Sequence, residues 1–112
     1  MSFEIIQGDC KTELNREKLR EVDFFKEVDL TFLDPPFNQN KQYAEHDDNL
    51  SPDEYWNWMA EIVERVYCIT SEGGAIYFMQ REKNAEYVFR CLREAGWEFQ
   101  NLIVWKKKTS AI

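Results

Sequence analysis

Asp29-Leu30-Thr31-Phe32-Leu33-Asp34-Pro35-Pro36-Phe37 decides how this chain is read. The first half is an apolar run with the pattern of a buried strand. The second half sets a carboxylate, two prolines and an aromatic ring at that strand's C-terminal end. In open α/β sheets, ligands collect in the crevice outside the carboxyl ends of the strands. Proline holds φ at about −65° and carries no N–H. Two in succession make a stiff turn, in which the Asp34 carboxylate and the following backbone carbonyls stand as acceptors beside the ring of Phe37. Such a turn suits a planar substrate bearing an amino group. The plainer alternative is a turn that only stops a strand.

Around this stretch the chain alternates between strand and helix patterns. Phe3–Gln7 has the pattern of a short strand, and Lys11–Glu21 has helical spacing with Leu14 and Leu19 on one side. Val28–Leu33 is the central strand, nearly all apolar, as expected when both sheet faces are covered. Asn38–Asn49 is polar and irregular, a loop beside a site. Ser51-Pro52-Asp53-Glu54 then combines a Ser cap, Pro at the first helical position and Glu three residues on. The helix it starts is expected to run to about Tyr67 or Ile69. Tyr55, Met59, Ile62, Val63 and Val66 form its apolar stripe, and Trp56 and Trp58 are assigned to packing. Gly73-Gly74 turns the chain into a second buried strand, Ala75–Met79. Glu82–Ala95 is a helix with Tyr87, Val88, Cys91 and Leu92 inward and Gly96 as its stop. Phe99–Trp105 is a final strand. This order predicts an α/β protein with a mainly parallel sheet and helices on both faces.

Composition narrows the function. At 112 residues, 44% hydrophobic and 15% aromatic, the chain has material for one packed domain or part of one. A net charge of −7 is wrong for a protein that grips phosphates unaided. The acidic stretches Glu13–Glu27 and Glu45–Glu54 are assigned to solvated faces, and Lys106-Lys107-Lys108 gathers the positive charge. Cys10, Cys68 and Cys91 show no metal or redox spacing, which fits reduced thiols in a cytoplasmic protein. The only histidine, His46, precedes Asp47-Asp48 without a further well-placed ligand, so no metal site is expected. No apolar run approaches the ~20 residues of a membrane span.

With those residues in view, Asp34-Pro35-Pro36-Phe37 resembles the catalytic motif of the amino-methyltransferases that methylate exocyclic nitrogens of adenine or cytosine in DNA. Ile5-Ile6-Gln7-Gly8-Asp9-Cys10 is similar to the opening strand of the enzymes in which the catalytic motif comes first, the beta class. Asn38-Gln39-Asn40, Tyr55-Trp56 with Trp58, Gly73-Gly74-Ala75-Ile76-Tyr77 and Ile103-Val104-Trp105-Lys106-Lys107 follow in the family's order. The family's Phe-x-Gly-x-Gly cofactor loop is absent. The four glycines, Gly8, Gly73, Gly74 and Gly96, form no Gly-x-Gly. The resemblance therefore implies that residues 1–112 are the N-terminal, catalytic-motif portion of a methyltransferase domain. They would have a partial Rossmann-like fold, with the cofactor loop and target-recognition segment lying beyond Ile112, and would be inactive alone.

The resemblance also implies roles. Asp34, Pro35, Pro36 and Phe37 are the catalytic residues, S-adenosylmethionine the cofactor and DNA the partner, with no membrane involved. Asp34 and the Pro35 carbonyl would each accept a hydrogen bond from the target amino group, and Phe37 would stack on a flipped base. Asp9, Cys10 and Asn38 are the candidate cofactor contacts. Asp9 has an alternative role as a helix cap, and Asn38 as a local backbone partner that orients the turn. Trp105-Lys106 lies near the target or is a plain strand end. Asp at the first catalytic position resembles the adenine-N6 enzymes more than the cytosine-N4 ones. Methylation of RNA or of a protein amide, and a non-enzymatic interaction module, are the alternatives.

Overall fold

The computed structural model describes residues 2–22, 25–39 and 48–106. Over these the chain forms α1 (Cys10–Glu13), α2 (Arg16–Leu19), β1 (Val28–Leu33), α3 (Pro52–Ile69), β2 (Thr70–Phe78), a 3₁₀ turn (Glu82–Asn84) and α4 (Ala85–Ala95). β1 and β2 pair in parallel as a two-stranded sheet, and α3 is the crossover between them. Parallel neighbours need a crossover of this kind. The result is consistent with part of a methyltransferase fold.

The expected start of α3 is present in full. Ser51 Oγ accepts from the Glu54 N–H at 3.2 Å, and Glu54 Oε1 accepts from the Ser51 N–H at 3.3 Å. Pro52 occupies the first helical position. The expected stripe is inward, with Tyr55, Met59, Ile62, Val63, Val66 and Ile69 buried. Tyr55, Met59 and Val63 pack with Cys91 of α4 and with Leu33, Ile76 and Phe78 of the sheet. Gly96 ends α4 at φ 112°, a conformation only glycine adopts without strain. The Tyr67 ring lies against the same residue, so a Cβ there would come within 2.8 Å of it.

Several expectations are corrected. The helix over Lys11–Glu21 is two single turns, because Asn15 interrupts it. Its Oδ1 accepts from the Lys18 N–H at 2.8 Å and starts α2 as a cap. Asn competes with helix interiors through such bonds. β2 begins at Thr70 rather than Ala75. Its register slips between Val28 and Leu30, where the strand takes up the glycine pair with Gly73 at φ 82°. The first turn of the Glu82–Ala95 helix is 3₁₀. Tyr87 is not inward but 44% exposed, stacked on Trp56 with ring centroids 5.2 Å apart.

Neither terminal strand forms among the described residues. Phe3–Gln7 and Phe99–Trp105 are irregular and exposed, with Trp105 at 75%. Among the described residues, helices on both sheet faces are not seen either. The core lies on the α3 side, and Leu30, Phe32 and Tyr77 of the opposite face are exposed. No described helix is long and apolar enough to cross a membrane.

Candidate active site

β1 delivers the chain to Asp34 at its C-terminal end, where the Met79 N–H donates to the Leu33 carbonyl at 2.9 Å. That bond keeps the ends of β1 and β2 level. Asp34 is exposed, while Pro35, Pro36 and Phe37 are half-buried. The carboxylate thus meets solvent on a turn whose remaining atoms pack into the protein.

Two sets of hydrogen bonds brace this turn. The first reaches it from below. The Tyr55 hydroxyl, on a residue only 1% exposed, donates to the Pro36 carbonyl. The same hydroxyl accepts from Gln80 Nε2 at 2.9 Å. Gln80 Oε1 in turn accepts from the Arg81 N–H at 2.9 Å and from Asn84 Nδ2 at 3.2 Å. A backbone N–H can only donate, so the Arg81 contact fixes which end of the Gln80 amide faces Tyr55.

The second set closes the chain behind Phe37. Asn38 sits at φ 58°, in the left-handed region that Asn tolerates better than most residues. Its side-chain Nδ2 donates to the Leu50 carbonyl and its Oδ1 accepts from the Leu50 N–H, both at 2.8 Å. Asp48 completes the neck. Oδ1 accepts from the Asn38 N–H and Oδ2 from the Gln39 N–H, each at 2.9 Å. Asp48 is 2% exposed, which corrects the solvated face expected for its acidic stretch. A buried carboxylate is tolerated because charge-assisted bonds to backbone N–H groups replace its lost hydration. His46 and the rest of the loop between Gln39 and Asp48 lie outside the described residues, as do Lys107 and Lys108.

The other expected site residues lie elsewhere. Asp9 caps α1, with Oδ1 accepting from the Lys11 N–H at 2.9 Å, the alternative role foreseen for it. Cys10 opens α1; partial desolvation first, and the neighbouring Asp9 carboxylate second, hold its thiol above the ordinary range. Among the described residues no hydrogen bond joins Asp9 or Cys10 to the Asp34 turn. Lys106 follows an exposed, irregular segment rather than a strand end. No group of three metal-ligating side chains occurs among the described residues.

Asp48, Tyr55 and Gln80 were not assigned to the site from sequence. Asp48 was hidden by its acidic neighbours, and Tyr55 by a packing stripe that it also satisfies. Gln80 carried a usable signal: it follows the second strand, at the sheet end where ligands collect.

The braced, acceptor-bearing turn stands at the carboxyl end of a parallel strand in a mixed helix and strand fold. The family model for DNA methylases matches residues 28–112, a span that contains this turn and all of its braces. The chain belongs to the N6/N4 DNA methylase family. It is similar to type II methyltransferase M.HpaI of Haemophilus parainfluenzae, with 33% identity over 79 residues, which is 70% of this chain and 25% of that protein. It is also similar to DNA adenine methyltransferase YhdJ of Escherichia coli, with 25% identity over 96% of this chain and 34% of that protein. Type II methyltransferase M1.MboII of Moraxella bovis shares 29% identity over 74% of this chain and 31% of its own length. The chain thus spans about a quarter to a third of these relatives. No solved structure matches it significantly.

Proposed function

We propose that the intact protein transfers a methyl group from S-adenosylmethionine to the N6 amino nitrogen of adenine in DNA. The observation that carries this reading is the exposed Asp34 carboxylate on a turn braced from both sides. An exocyclic amino nitrogen is a poor nucleophile because its lone pair is delocalised into the ring. Asp34 accepts one of its N–H bonds and the Pro35 carbonyl the other. These bonds favour a tetrahedral nitrogen whose lone pair is directed out of the ring plane. Bound S-adenosylmethionine supplies an electrophilic methyl on a sulfonium that leaves readily. The protein's share is then orientation and fixed dipoles. The nitrogen loses one proton on methylation, and Asp34 is the base beside it.

Phe37 offers its ring to the base, and stacking of this kind is worth about 1–3 kcal/mol. That offsets much of the few kcal/mol needed to unstack a base from duplex DNA. The described residues fit the cofactor only in part. Asp9 is exposed and would hold a donor of its adenosine end. Asn38 is not spare, because the Leu50 backbone takes both ends of its amide, so it serves the turn instead.

The test is to incubate the intact protein with methyl-tritiated S-adenosylmethionine and DNA, RNA or protein in parallel. Label is expected in DNA, recovered as N6-methyladenine and abolished by Asp34→Ala. Label in RNA or protein, or recovery as N4-methylcytosine, would reassign the substrate. Undiminished transfer by the alanine variant would remove Asp34 from its role.

A further inference from the structure

We propose that Gln80 and Tyr55 are positioning residues for this transfer, acting as a one-directional hydrogen-bond chain that sets the Pro36–Phe37 peptide. The inference rests on the methyl-transfer reading above. Its starting point is what proline leaves free. The rings of Pro35 and Pro36 fix both φ angles, so the geometry of the turn depends on the two ψ angles. The direction of the Pro36 carbonyl reports ψ of Pro36, and Tyr55 holds that carbonyl. Beyond Phe37, the Asn38 amide and the Asp48 carboxylate hold the next stretch of backbone. Phe37 is therefore fixed on both sides.

The chain has one sense only. Arg81 N–H and Asn84 Nδ2 occupy Gln80 Oε1, so the Gln80 amide presents its N–H to Tyr55. The Tyr55 oxygen is thereby the acceptor, and its own proton is directed to Pro36. This also sorts the acceptors. Tyr55 engages the Pro36 carbonyl, so the two N–H bonds of a substrate amino group are left to Asp34 and the Pro35 carbonyl. A turn free to swing its Pro36 carbonyl outward would offer a competing acceptor and a displaced ring.

Removing the hydroxyl and reversing the chain test the same device in different ways. Tyr55→Phe deletes the donor. Gln80→Glu replaces the amide by a group that can only accept, so the Tyr55 proton turns toward it and away from Pro36. Tritium transfer from S-adenosylmethionine to unmethylated genomic DNA is measured with the intact protein, alongside wild type and Asp34→Ala. Each variant is expected to lower kcat about tenfold to hundredfold, the scale of a small misplacement, with KM for S-adenosylmethionine little changed. The double variant should fall no further than the worse single one, because both act through one carbonyl. Circular dichroism checks the fold, and if Tyr55→Phe does not fold, Gln80→Glu decides.

Unchanged kcat in the folded variants, or losses that multiply in the double variant, would overturn the proposal while Asp34→Ala remains inactive. A loss confined to KM would likewise overturn it, since a packing defect and not a misdirected turn would then be at work. Full activity of Asp34→Ala would instead remove Asp34 from its role, and this inference would fall with it, whereas no transfer even by wild type would strike the methyl-transfer reading itself.

Discussion

The two faces of the sheet are made by the same strands, of similar residues, and have opposite fates. On one, Leu33 and Ile76 pack against Tyr55, Met59 and Val63. On the other, Leu30 is 59% exposed and Phe32 65% exposed. Phe32 has the Tyr77 ring beside it, with centroids 6.2 Å apart. The difference lies in what the chain lays over each face, since α3 covers one and no described helix covers the other. The Asp34 turn stands at the junction, rooted in the packed side through Tyr55 and open at Asp34. Its rigidity should therefore come from the α3 side and from the Asp48 neck, and not from the open face.

Met59→Ala strikes that side hardest. The residue is 1% exposed and fills the space between α3, α4 and the sheet. Truncations of this type cost about 2–5 kcal/mol, from lost transfer energy and the cavity left behind. Urea unfolding should show the midpoint falling with little change in slope. A loss below about 1 kcal/mol would mean that the packed face collapses onto the gap and is less tightly built than its burial indicates.

Asp48→Ala comes next. It leaves the N–H groups of the half-buried Asn38 and the exposed Gln39 without their acceptor, and since a fully buried unmet donor costs about 1–3 kcal/mol, a loss at the low end of that range is expected. Ser51→Ala removes one half of the box at the start of α3, worth about 1 kcal/mol. The two variants separate the turn from the helix beneath it. Amide hydrogen exchange should rise at Asn38 and Gln39 in the first, and in the first turn of α3 in the second. Exchange that spreads equally through both regions in either variant would show that neck and helix open as one unit.

The contrast also explains what was legible in the sequence. The start of α3, its stripe and the Gly96 stop were readable because each is set by residues within a few positions of one another. Val28–Leu33 was readable because it pairs with β2 at Val28 and continuously from Leu30 to Leu33. Phe3–Gln7 and Phe99–Trp105 have the same apolar character, yet no described strand lies beside them to complete a ladder. Strand propensity states that a segment fits a pleated surface, not that the surface is there. The turn's place at a strand end was legible from Asp34-Pro35-Pro36-Phe37. Its braces were not, because Asp48, Tyr55 and Gln80 lie 9 to 25 residues from the partners through which they brace the turn. A tyrosine on an apolar stripe gives no sign in sequence of where its hydroxyl goes.

Leu30→Thr, on the open face, is the smallest effect and the sharpest control. Threonine is β-branched and suits a strand, so the change removes apolar surface without disturbing the backbone of β1. Exposed substitutions of this type stay within about 0.5 kcal/mol. In the intact protein, unfolding should then match wild type, and methyl transfer should be retained, because the Asp34 turn is rooted on the other face. A loss approaching that of Met59→Ala would mean that another part of the protein lies over Leu30 and makes this a second core. The two faces would then differ only in which part of the protein covers them, and the turn would be held between two packed layers.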